Sequence, residues 1–241
     1  MAIGIPRCSP GFSTMASTNL SNQLERHAAA MDAAFTQSHT EYLTGLARLH
    51  DAIDSSLADD PAVAAGQFDV GLRHLGASND QLTRLGDSLV RLRSDLFDNR
   101  DVDASDPLLA REPFFARLDY DSLYRELAGQ GAALPHRAFW DEVASRVRDG
   151  GARGGFRLLD RHVRELQSDL QSLIAHVTAS GRLTGRAVGE ALHDVAIPTA
   201  RVLTGFTRLL TTFGYVSFLC ERAMLAYEDS VSQAAATAAA S

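Results

Sequence analysis

From Val188 to Tyr227 an apolar or weakly polar side chain recurs at every third or fourth position: Val188, Leu192, Val195, Thr199, Val202, Phe206, Leu209, Phe213, Val216, Cys220, Ala223 and Tyr227. Steps of three and four put these residues on one face of an α-helix, whereas a strand needs alternation of two. The strand reading fails inside "RLLTTFGYVSFLCER", Arg208 to Arg222, because Phe213 and Tyr215 would share a face with Ser217. A membrane span is disfavoured by the spacing of charges. Only 12 uncharged residues separate Arg208 from Glu221, about 18 Å of helix against a hydrocarbon core of about 30 Å. A second apolar stripe, Leu203, Leu210 and Met224, places neighbours on more than one side. The segment is expected to be the central helix of a bundle, with Phe206, Leu209, Phe213 and Val216 as core or interface residues. Pro198 is expected to kink it or divide it in two.

The same period organises most of the chain. Leu24, Ala28, Met31 and Phe35, then Tyr42, Leu46, Leu49, Ile53 and Leu57, predict a helix over residues 19–58. "ADDPAV" supplies a capping Asp60 and a proline, Pro61, at a first helical position. A second long helix carries Phe68, Leu72, Leu75, Leu82, Leu85, Leu89, Leu92 and Leu96 and ends near Asp98. Two helices of similar length joined by a short acidic loop form an antiparallel hairpin. Residues 99–155 read as loop and short helices, the latter around Asp119–Gly129 and Pro135–Asp149, with the only tryptophan, Trp140, in the second. "GGARGG" is expected to break the chain. A heptad then runs through Phe156, Leu159, Val163, Leu166, Leu170, Leu173 and Val177. The expected fold is all-α: an elongated antiparallel bundle of four or more long helices with a short-helix insert. A single bundle domain over 19–236 would comprise an acidic hairpin (19–98), the insert (99–155) and a basic-leaning hairpin (156–236). Residues 1–18 and 237–241 are expected to be tails, and Met15 offers an alternative start.

Charge follows this division. Residues 1–142 hold 12 arginines and 21 acids, net −9; residues 143–222 hold 11 arginines and 7 acids, net +4. The whole chain is −7, which disfavours nucleic acid as a partner. All 23 basic residues are arginine, through arginine-rich codon usage or avoidance of a modifiable amine; every cationic contact is therefore a guanidinium. Two cysteines, Cys8 and Cys220, make no disulfide framework and suit a reducing, intracellular setting. The leader has neither the apolar core of a signal peptide nor the arginine density of a transit peptide.

Three segments bear on chemistry. "DVDASDPLLARE" places Asp101, Asp103, Ser105 and Glu112 at positions one, three, five and twelve of a calcium-loop pattern. Its sixth position, which needs glycine, is Asp106, so an ordinary acidic connection is the better reading. "EALH" gives Glu190 and His193 the spacing of a di-metal helix, but the motif occurs once where such bundles need two. No metal or other cofactor is expected. The third segment holds Arg153, Arg157, Arg161 and Arg164, the last three at i, i+4 and i+7, beside a glycine-rich helix start. Guanidinium groups next to free backbone N–H groups suit an anion such as phosphate or a lipid headgroup. Asp160 and Glu165 interleave with them, which favours a solvated mixed-charge face.

No nucleophile elbow, phosphate loop, dinucleotide fingerprint or paired Cys-x-x-Cys occurs. The leading expectation is a non-enzymatic helical scaffold or interaction protein that associates with itself or another helical protein through heptad faces. The alternatives are an amphipathic protein that binds a membrane or apolar granule surface, or a secreted effector or viral structural protein, and an enzyme or ligand-binding bundle with an unrecognised site.

Overall fold

The computed structural model describes residues 15–58, 60–98, 112–129, 137–180 and 187–240. Helices make up 96% of them, with no strand. They are α1 (Met15–Leu57), α2 (Pro61–Phe97), α3 (Glu112–Phe115), α4 (Tyr120–Gly129), α5 (Arg137–Ser180) and α6 (Ala187–Ala240). The all-α bundle expected from the periodicity is what the chain forms. Asp60 caps α2 as its position suggests: Asp60 Oδ1 accepts the Val63 N–H at 3.2 Å, and Pro61 opens the helix. Asp119 does the same for α4, taking the Ser122 N–H at 3.1 Å and the Ser122 hydroxyl at 2.6 Å.

Three boundaries differ from expectation. α1 starts at Met15, so residues 15–18 are helical, and α6 continues to Ala240, so residues 237–240 are helical too. α6 also passes through Pro198 as one element. The glycine segment does interrupt the helix, as expected, but at a single residue: α5 is two helical pieces meeting at a kink at Gly151, with φ 55° and ψ −149°.

The chain forms two compact units, and both draw on the long helices. One contains residues 15–90 and 161–209 of the described chain. Here α1 meets α2 through reciprocal serine bonds: Ser38 Oγ donates to Ser78 O at 3.0 Å, and Ser78 Oγ donates to Ser38 O at 2.8 Å. Seven residues along each helix the backbones approach closely at Gly45 and Gly71. A Cβ on Gly71 would lie 2.9 Å from Leu49 Cγ and 3.1 Å from Gly45 O. α2 meets α5 where Gln167 donates to Thr83 at 3.1 Å and Val163 packs on Gly86. α5 meets α6 through Leu166 on Gly205 and an Arg208–Glu165 pair at 3.3 Å. α6 returns to α1, where Phe206 packs on Phe35 and Tyr42, and Tyr42 donates its hydroxyl to Thr199 O at 3.0 Å. In each of these four seams residue numbers rise on one helix as they fall on the other. This unit is therefore an up-down-up-down four-helix bundle. Its interior holds Leu75, Leu82, Leu85, Leu166, Leu170, Leu173, Val202 and Leu209, all fully buried.

The other unit contains residues 91–98, 112–129, 137–160 and 210–240 of the described chain. It is built on aromatics. Trp140 is fully buried, 5.0 Å from the Tyr215 ring and 5.9 Å from Tyr124. Phe97 stacks edge-on against Phe156, and Phe114 against Tyr227. Arg137 covers the Tyr124 ring and pairs with Asp121 and Asp141, while Arg222 pairs with Glu126.

The expected core of α6 needs one correction. Phe206, Leu209 and Val216 are buried, but Phe213 is only half-buried and Thr212 is fully buried in its stead. Buried positions here advance 209, 212, 215, and each three-residue step turns the buried face back by roughly 60° on a helix of about 100° per residue. Phe213 falls at the margin of that face. Thr199, Cys220 and Tyr227 are half-buried as well. In α1, Leu46 and Ile53 are half-buried and Leu57 is exposed, while Ser38, Gly45 and Ala52 take the interior; Leu24 lies outside the residues whose side chains are described.

Two stability comparisons follow from the packing. Phe206→Ala is expected to cost about 3–5 kcal/mol and Phe213→Ala clearly less, by chemical denaturation. Gly71→Val, which drives side-chain atoms into Leu49 and the Gly45 carbonyl, is expected to cost about 1–3 kcal/mol. Gly76→Ala on the same helix, where a Cβ meets open space, should be neutral or gain up to about 1 kcal/mol.

Candidate functional site

The arginine and glycine segment of α5 is the place where the sequence assembles charge, free N–H groups and an irregular backbone. Gly151 has a positive φ that a side-chain-bearing residue rarely adopts, and the space its Cβ would fill is occupied by the Glu112 carboxylate. Gly154 is needed for a different reason: its Cβ would collide with the Arg146 carbonyl, so the bend brings one turn of backbone onto another.

Glu112 is the pivot of this arrangement. Its carboxylate accepts the Ala152 N–H, the first amide after the bend, and the Arg153 guanidinium sits close enough to stabilise the charge. Burial outweighs both effects and pushes the Glu112 carboxyl above its ordinary value. A carboxyl group is therefore seated on this helix start, and the chain supplies it. The carboxylate at the twelfth position of the calcium-loop pattern is engaged with backbone N–H and guanidinium. Asp101, Asp103 and Ser105 lie outside the described residues.

The four arginines named from the sequence have separate settings. Arg153 donates to Phe97 O at 3.0 Å and lies over the Phe97 ring at 5.0 Å, so a cation closes the carbonyl end of α2. Arg157 is exposed in the same unit. Arg161 and Arg164 belong to the other unit. Arg161 pairs with Glu165 one turn on at 3.7 Å, Glu165 also takes Arg208, and Arg164 has an interaction of its own. Arg153 is thus built into the fold, and Arg161 shares the Glu165 carboxylate with Arg208.

Elsewhere the candidates thin out. Glu190 and His193 lie on the first turns of α6, with their side chains outside the described residues. Among the described residues no group of three or more His, Cys, Asp or Glu side chains could hold a metal. Sequence reasoning missed the polar contacts of the α1–α2 seam: Ser38 with Ser78, and Glu41 with His74 at 2.6 Å. The signal was present as small residues at seven-residue spacing, Ser38, Gly45 and Ala52 against Ala64, Gly71 and Ser78. It also missed Tyr215, whose buried hydroxyl has no hydrogen-bond partner and whose pKa burial pushes up to about 12. No protein family, curated protein or solved structure matches the chain.

Two variants separate the roles of the bend. Gly151→Ala is expected to lower the melting temperature, while Gly150→Ala, whose added Cβ meets open space, should leave it unchanged. For Glu112, a folded-state value raised above the ordinary 4.5 means that its contribution to stability is complete below that pH and is lost as pH rises through the folded value. Glu112→Gln keeps an oxygen for the Ala152 N–H and cannot ionise. Urea denaturation from pH 4 to 8 should therefore show less loss with rising pH for Glu112→Gln than for the parent, whereas Glu112→Ala should be weaker throughout.

Proposed function

We propose that the chain is a non-enzymatic helical interaction protein that associates with itself, and that the outward face of α6 makes the contact. The heptad leucines and valines of α5, from Leu159 to Val177, are buried within a single chain and so leave nothing for a partner. One observation carries the reading. In α6, Ala196, Ile197, Ala200, Leu203, Thr204 and Thr207 are all exposed and uncharged, with Ile197 at 64% and Leu203 at 50% exposure. These residues span about 120° of the helix surface at roughly 100° per residue, a continuous strip rather than scattered apolar residues. Small and β-hydroxyl side chains would let a second helix approach closely, as Gly45 and Gly71 do inside the bundle. Light scattering on the purified chain is expected to give a mass above that of one chain at micromolar concentration. Leu203→Glu should restore the single-chain mass without changing helical content. A monomeric parent protein would overturn the proposal.

A second reading, binding to a membrane or apolar granule surface, has its own support. Val195–Ala239 is long and apolar enough to cross a bilayer by length and composition alone, and less than half of its most apolar part is buried. Counting only the uncharged residues between Arg208 and Glu221 understates this, because a long apolar helix can carry an isolated charge. Flotation with neutral and anionic vesicles separates the readings. A surface binder rises with the vesicles and loses this on Leu203→Glu, whereas the self-associating protein stays below.

A further inference from the structure

We draw no further inference here: the strongest candidate, the exposed face of α6 around Ile197, Ala200, Leu203 and Thr207, is already the surface of the proposed association, and nothing in the structure shows what covers it.

Discussion

Two helices can approach until their backbones touch only where side chains are absent or very small, and α1 and α2 use that limit. Gly45 and Gly71 face each other with each carbonyl close to where the other's Cβ would stand, and Ser38 and Ser78 exchange hydroxyl-to-carbonyl bonds one heptad away. The bonds satisfy polar groups that are fully buried and would otherwise be costly. They also set the register, since a slip of one residue would bring Leu49 and Leu75 onto backbone instead of beside glycine. With α1 and α2 fixed so closely, the remaining volume of that unit is filled by large side chains, Phe206 and Tyr42 on one seam and the α5 leucines on another.

The bend in α5 follows the same logic of excluded side chains, with electrostatics added. A helix interrupted at Gly151 exposes amides that need an acceptor. The acceptor comes from Glu112, distant in sequence, and Arg153 answers both that carboxylate and the carbonyl end of α2. A glycine-rich, arginine-rich stretch beside a helix start looks like a receptor for an external anion when read as a string. In the fold, Arg153 and the Ala152 amide join three helices, through Glu112 and Phe97.

The helices and their order were legible because apolar spacing of three and four is a one-dimensional signal, and Asp60–Pro61 and Asp119 punctuate it chemically. The central helix from Val188 to Tyr227 was readable as buried, but not its exact face. Whether Thr212 or Phe213 turns inward depends on how neighbouring helices pack, and period alone leaves both within one turn's tolerance. The glycine segment was readable as a break, but not as one confined to a single residue, Gly151. Glu112 was noticed for calcium geometry, and its real partner, an amide 40 residues later, has no sequence signature. The seam of Ser38, Gly45 and Ala52 is written in the sequence as a seven-residue repeat of small side chains, which an apolar periodicity carried by large residues does not register.

The ring of four antiparallel seams is closed unevenly along the chain. Ser38 and Ser78 meet across 40 residues and Arg208 and Glu165 across 43, but Tyr42 and Thr199 meet across 157. Loop-closure entropy grows with that separation, and contacts between distant segments form late where local ones can form first. The hairpin of α1 and α2 is therefore expected to organise early, with the docking of α6 onto α1 as a late event. Weakening that last seam should then accelerate unfolding far more than it retards refolding, which a chevron plot of Tyr42→Phe would read directly.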